Sequence, residues 1–276
     1  MRTVKKLSIP AIIIIIWIVW TNFTIEVTQL RIKDTKLPTE FNGFKIAHVS
    51  DLHNKDWKDQ LIRKLEKEKP DVVCITGDLI DANKTNIGIA MSFVNRAVEV
   101  ATVYYVTGNH EAWTKNYPEL KNRLIKSGVV IMDDRSEFIE WEGSKIQIIG
   151  LEDPEFIKRD DLKGLADLTL EKKLERLLDR DYFSITLSHR PEIFESYVNA
   201  GADLVLTGHA HGGQFRIPFI GGVIAPNQGL FPKYTSGVYT KDKTSMVVSR
   251  GLGNSILSVR INNRPELVIV TLSNED

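Results

Sequence analysis

The 276-residue sequence holds a single cysteine, Cys74. An intrachain disulfide is therefore excluded, as is a thiolate cage for a structural zinc ion, which needs several cysteines at close spacing. Cys74 itself lies in the apolar run Val72-Val73-Cys74-Ile75, which reads as a buried strand rather than a reactive loop. Net charge is equally scarce: 36 Lys and Arg balance 36 Asp and Glu, for a formal charge of +0. A polyanion needs a basic path, so this balance gives no footprint for nucleic acid, and no such partner is expected. There is no G-x-S-x-G elbow to mount a serine nucleophile, no internal repeat and no low-complexity tract. With 42% hydrophobic and 26% charged residues, the remainder is ordinary for a chain with a sizeable core.

What is present is concentrated. Five of the six histidines fall beside carboxylates, an asparagine and glycines, in Asp51-Leu52-His53, Gly77-Asp78, Gly108-Asn109-His110, His189 and Gly208-His209-Ala210-His211. Asp51 and His53 are one residue apart, so in extended chain both face one side and can grip one ion; the same holds for His209 and His211. Imidazole nitrogens with carboxylate and amide oxygens suit manganese, iron or zinc. Any one cluster alone is a common loop pattern. The ordered set of five is far more specific and points to a two-metal hydrolytic site.

An apolar run ends just before each cluster: Phe44–Val49, Val72–Ile75, Val103–Val106, Ile185–Leu187 and Leu204–Leu206. The ligands are thereby expected at strand C-termini. Between these runs lie helical faces such as Trp57, Leu61, Ile62 and Leu65, or Leu170, Leu174, Leu177 and Leu178. Alternating strands and helices imply an α/β core. Further runs at Val129–Met132, Lys145–Gly150, Met246–Ser249 and Leu267–Leu272 are expected to supply a second sheet, giving a two-sheet sandwich with helices outside.

In this order, D-x-H, G-D, G-N-H-E, H and G-H-x-H, the residues resemble the calcineurin-like metallophosphoesterases, with family-like chain from about Phe41 to Leu272. The block Gly208-His209-Ala210-His211-Gly212-Gly213-Gln214, followed by Arg250-Gly251-Leu252-Gly253, is most similar to the membrane-anchored bacterial branch. The resemblance implies a four-layer αββα sandwich and two divalent ions. It assigns Asp51, His53, Asp78 and His211 to one ion, and Asp78, Asn109, His189 and His209 to the other, with Asp78 bridging. It makes His110 catalytic, either a proton donor to the leaving oxygen or a stabiliser of negative charge, with Asp81 at the place where some members orient that histidine. The implied reaction is hydrolysis of a phosphoester or phosphoanhydride by a hydroxide held between the ions, attacking phosphorus in line.

The N-terminus carries a second message. Leu7 to Ile25 contains no charged residue, and its 19 positions approach the roughly 20 needed to span hydrocarbon. Arg2, Lys5 and Lys6 precede it and Glu26 is the first charge after it. The expected division is a transmembrane anchor over 1–26 and a catalytic domain over 27–276, in the cell membrane with the domain outside the cytoplasm. A cleaved signal peptide, giving a secreted or wall-associated phosphatase, is the alternative, though no small-residue cleavage site is evident. A metal-dependent binding protein without turnover is a further rival, weakened by His110, which a mere binding site would not need. The expected substrate is a phosphorylated small molecule or a lipid-like phosphate near the membrane; the oligomeric state is not legible.

Four features remain open. His48 alternates with Ile46 and Ser50 and reads as structural. Glu111 is read as a salt-bridge or loop residue that could tune local charge, and Arg190 as either a phosphate contact or a strand-end ion pair. The apolar stretch around Phe215–Ile220 and Gly229–Pro232 reads as a hairpin buried under the second sheet, or as an exposed rim facing a bilayer beside the anchor.

Overall fold

The computed structural model describes residues 2–157, 166–254 and 259–275. In chain order a helix α1 (Arg2–Phe23) leads into β1 (Glu26–Lys33), β2 (Lys45–Val49), α2 (Asp59–Glu68), β3 (Val72–Thr76), α3 (Ile87–Val100) and β4 (Thr102–Val106). Then come α4 (Asn109–Trp113), α5 (Tyr117–Lys126), β5 (Val130–Ile131), β6 (Arg135–Trp141), β7 (Ser144–Gly150) and α6 (Ala166–Leu177). β8 (Ser184–Leu187), α7 (Phe194–Ala200) and β9 (Leu204–Thr207) complete the motif-bearing strands. Two short hairpins follow, β10 (Arg216–Ile217) with β11 (Gly221–Gly222) and β12 (Ile224–Ala225) with β13 (Gly229–Leu230), before β14 (Gly237–Lys241), β15 (Thr244–Val248) and β16 (Glu266–Ser273).

The strands build two six-stranded sheets, ordered β1-β16-β2-β3-β4-β5 and β14-β15-β9-β8-β7-β6. Their central members are buried along their whole length, so they read as unbroken apolar runs rather than as alternating ones. Ile46, Cys74 and Val106 of the first sheet meet Ile148, Ile185 and Leu206 of the second in one core. Leu61 and Leu65 of α2 and Val94 of α3 cover the outside of the first sheet. Leu174 of α6 and Tyr197 of α7 cover the second. This is the expected sandwich flanked by helices. β5 and β16, expected in the second sheet, lie in the first: β16 pairs antiparallel to β2 and parallel to β1. Hydrophobic runs identify strands but not their neighbours, because one buried edge accepts any apolar run that the connection lets reach it.

The arrangement positions the site. β2, β3 and β4 of one sheet and β8 and β9 of the other run out at one end of the sandwich. There the His189 ring joins the two sheets, its Nδ1 lying 2.7 Å from the Thr76 carbonyl oxygen.

At the N-terminus, Thr21 and Ile25 are buried against the domain, and the Asn22 amide pairs with the backbone of Arg260 in both directions, at 2.8 and 2.9 Å. From Ile9 to Trp20 the large apolar side chains of α1 are exposed, except Ile18, which is half-buried. Among the described residues no helix is long and apolar enough to cross a membrane. At about 1.5 Å per residue, the stretch from Ile9 to Trp20 covers roughly 18 Å against the ~30 Å of hydrocarbon. The side chains of Arg2, Lys5, Lys6 and Leu7, which entered the anchor expectation, lie outside the described ones.

Candidate metal centre

Three of the five clusters leave their strands through a backbone that side chains rarely adopt. Asp51, His53, Asp78, His209 and His211 have φ of 52°, 45°, 51°, 63° and 46°, in the left-handed region. Such strain persists only where surrounding structure enforces it, and it gathers at functional sites. The glycines of the motifs are required by contact. A Cβ at Gly108 would strike Asp78 Oδ1, and one at Gly208 would strike Ser50 Oγ and Asp51 Oδ2.

These turns aim the acceptor atoms at two neighbouring points. Asp51, His53, Asp78 and His211 form one group and Asp78, His189 and His209 the other, with ligand atoms within 4.8 Å of one another in each. His53 Nε2 lies 3.2 Å from His211 Nε2 and 3.4 Å from Asp78 Oδ2. His189 Nε2 lies 3.2 Å from both His209 Nδ1 and Asp78 Oδ2. Asp78 is thus common to both groups. Asn109, in the first turn of α4, is 2% exposed, and its side-chain oxygen has no hydrogen-bond partner. All seven residues expected as ligands are buried.

The donor set fits divalent cations. Ring nitrogens that face each other at 3.2 Å, next to carboxylates, are what two ligands of a single ion look like, since bonds of about 2.0–2.2 Å place neighbouring ligands roughly 3 Å apart. The orphaned Asn109 oxygen is a further acceptor awaiting a partner. Electrostatics agree. Burial opposes a proton on either ring, yet Asp51 and Asp78 outweigh it and raise His53 to about 9 and His189 to about 10. The bare site therefore collects positive charge where ions would supply it. Burial, with Arg190 adding to it, holds His209 well below its ordinary value, and burial brings His211 down to about 3, so both rings are neutral.

His110 stands beside the first group, its ring 4.4 Å from that of His53. Its Nδ1 accepts the Ala82 N–H at 3.0 Å, while the Asp81 carboxylate is 3.9 Å away. Burial lowers the His110 pKa. A neutral ring whose Nδ1 is an acceptor carries its proton on Nε2. Asp81, at the place where the resemblance puts an orienting group, accepts the backbone N–H groups of Asn83 and Lys84 and lies 3.7 Å from His53 Nδ1. Trp113, 56% exposed and 5.1 Å from His110 ring to ring, lines with them an open cavity of about 610 Å³ that includes Asn54, Lys84 and Asn254.

Two open residues acquire definite positions. Glu111 is neither a surface ion pair nor solvated: it is fully buried, and accepts the N–H groups of Asp78 at 2.9 Å, Gly108 at 2.8 Å and Ile80 at 3.2 Å. It ties the loop after β3 to the loop after β4. Burial and the nearby Asp78 push its carboxyl up to about 7. Glu111→Gln keeps one acceptor oxygen and turns an NH₂ group toward backbone donors, so a loss of about 2–3 kcal/mol is expected. Urea unfolding of the metal-free protein checks this; an unchanged midpoint would contradict the assignment.

Arg190 is an ion pair rather than a surface phosphate contact. Its Nε and Nη2 grip Asp153 at 2.6 and 2.8 Å, and its Nη1 lies 3.0 Å from His209 Nε2. It is 3% exposed and acts as a positioning residue for His209. Groups behind a metal ligand typically contribute 10–100-fold in metal affinity. Arg190→Met should weaken one of two binding steps by about that factor while sparing the other, as read by calorimetric titration with Mn²⁺. Equal weakening of both steps would indicate general unfolding.

Asp153, Arg190 as a clamp, Trp113 and the fully buried Arg260, whose Nη2 is 3.4 Å from His211 Nδ1, were not identified from sequence as part of the site. None belongs to a motif at ligand spacing; only the adjacency of Arg190 to His189 signalled it. His48 is structural as expected: it is buried, bonds Thr76 Oγ1 at 2.8 Å, and burial lowers it to about 4. Cys74 is buried, and burial alone pushes its thiol far up, so it offers no nucleophile.

Comparison with known proteins agrees with this geometry. The family described as Calcineurin-like phosphoesterase matches residues 44–213, more than half of the sequence, and the chain belongs to that family. The Uncharacterized metallophosphoesterase YkuE of Bacillus subtilis is 32% identical over 256 residues, 90% of this chain and 85% of that protein. The Transmembrane protein with metallophosphoesterase domain of Bos taurus is 27% identical, covering 89% of this chain and 56% of that protein. The Phosphodiesterase YaeI of Escherichia coli is 25% identical, covering 83% and 82%. The chain is a metal-dependent phosphohydrolase that uses two divalent ions.

Proposed function

We propose that this chain hydrolyses the phosphoester or phosphoanhydride of a membrane-proximal substrate, with 1–26 as a membrane-attaching segment and 27–276 as the catalytic domain outside the cytoplasm. Asp51, His53, Asp78 and His211 would hold one divalent ion, and Asp78, Asn109, His189 and His209 the other. When bound, the ions supply Lewis acidity and an acidified water as nucleophile. The observation that carries the protein's own part is the Ala82 N–H bond to His110 Nδ1. It leaves Nε2–H to donate a hydrogen bond to charge that develops on the departing group, which is stabilisation rather than full proton transfer. Trp113 offers a flat apolar face beside that point for the substrate's organic part.

The membrane context is supported by the exposed apolar side chains of α1, by the basic residues ahead of them and by the printed name of the bovine relative. Burial of Thr21 and Ile25 speaks for a chain kept intact through this point, since removal beyond Ile25 would strip part of the core. The test is a turnover screen of metal-reconstituted full-length protein against phosphomonoesters, phosphodiesters and lipid diphosphates. Greater kcat/KM for a lipid diphosphate or other lipid phosphate than for its water-soluble headgroup analogue is expected. Equal values for the two would remove the membrane-proximal part of the proposal.

A further inference from the structure

The stretch from Phe215 to Pro232, for which a buried hairpin was one sequence expectation, is largely exposed. Ile217, Phe219, Ile220, Leu230 and Phe231 have relative exposures of 42, 108, 63, 69 and 63%. Phe219 sits at the tip between β10 and β11 with φ 68°, where turn geometry alone would favour glycine or asparagine. A bulky apolar side chain there serves neither the core nor the turn.

The same stretch is joined to α1 through one short segment. Arg216 N–H donates to the Ile261 carbonyl at 3.0 Å and Gln214 Nε2 to the Val259 carbonyl at 2.8 Å, which places the β10–β11 hairpin on one side of residues 259–262. Arg260, between them, pairs its backbone with Asn22 of α1 on the other side. Val259 and Ile261 expose 44 and 41% of their surface while Arg260 is fully buried, so their side chains continue the apolar surface from the helix to the hairpin.

Building on the membrane-proximal reading, we infer that α1 and the β10–β13 hairpins form one surface that docks on an anionic lipid bilayer. Two observations select lipid. Ile13, Ile14, Ile15 and Ile16 are consecutive, so they circle the helix, and each is 55–62% exposed; a protein partner covers one face, whereas lipid covers all of them. From Gln214 to Lys241 there is no acidic residue, and Lys233 stands in solvent at the hairpin base. Lys55 and Arg264, stacked on Phe23 and Trp20, add cations where the helix meets the domain. Apolar tips on a segment without acidic residues, with cations at its base and at the helix junction, where Arg264 lies 3.9 Å from Glu26, match the headgroup region of an anionic leaflet. The loop between β12 and β13 also brings Asn227 within 3.4 Å of His209 Nε2, so a docked hairpin would set the metal centre next to the lipid surface.

The test uses full-length, metal-loaded protein carrying Phe219→Cys labelled with an environment-sensitive nitrobenzoxadiazole dye; Cys74 is buried and escapes labelling. Glu140→Cys, on β6 at the other end of the sandwich, is the control. With phosphatidylglycerol vesicles the dye at 219 should brighten several-fold and shift to the blue, with a smaller response to phosphatidylcholine and none at 140. Protein that sediments with vesicles while the dye at 219 stays unchanged overturns the docking surface and leaves membrane attachment through α1 standing. Failure to sediment at all overturns the membrane reading and this inference with it. Brightening without lipid that grows with protein concentration would assign the surface to a second copy of the chain instead.

Discussion

An Asp78→Ala protein is expected to lose measurable turnover and to bind less than its full complement of metal. Among the described residues, Asp78 Oδ2 alone of the carboxylate oxygens lies within 3.4 Å of a histidine ring nitrogen in both groups, 3.4 Å from His53 and 3.2 Å from His189. Its removal takes a negative charge from both ion positions at once, so the loss should exceed the roughly 10–100-fold that follows loss of an outer partner. Alanine also deletes Oδ1, which accepts the His110 backbone N–H at 2.8 Å. Asp78→Asn separates the two effects, because its amide oxygen can keep that hydrogen bond while the charge is gone. Both variants should lose metal, by mass spectrometry of dialysed protein; an asparagine variant that keeps two ions at wild-type affinity would exclude a shared ligand.

His110→Ala is expected to keep both ions and to reduce kcat by about 10²–10³-fold, the scale for removing one positioned donor from a developing charge. Because Nδ1 is occupied by the Ala82 N–H, the ring is neutral with its proton on Nε2, the atom proposed to face the departing group. The loss should therefore be similar for p-nitrophenyl and alkyl esters, since a hydrogen bond that stabilises charge helps both. Full proton transfer would matter far more for the alkyl leaving group. A loss that nearly vanishes with p-nitrophenyl esters would show that His110 works as a charged acid and that the Ala82 contact gives way in turnover.

The sequence made the metal centre legible because its chemistry is local. Asp51, His53, Asp78, Asn109, His189, His209 and His211 sit in short motifs at the ends of apolar runs, and those runs became β2, β3, β4, β8 and β9. What escaped depends on partners distant in sequence. Arg190 reaches Asp153 and His209, and Arg260 reaches His211 from 49 residues away. Glu111 looked like a surface charge because nothing in its neighbours shows that three backbone N–H groups converge on it. β16 was read as a strand but placed in the wrong sheet, since pairing follows topology rather than composition. For Phe219 and Leu230, apolar character argued for burial; which side of a hairpin faces outward follows from its neighbours, here residues 259–262.

The central claim is that two divalent ions share Asp78 at this end of the sandwich. Anomalous diffraction from a crystal equilibrated with Mn²⁺ tests it most directly. Two peaks are expected, one among Asp51, His53 and His211 and one among Asn109, His189 and His209, with the Asp78 carboxylate between them. A single peak, or two peaks of which neither touches Asp78, would contradict the account.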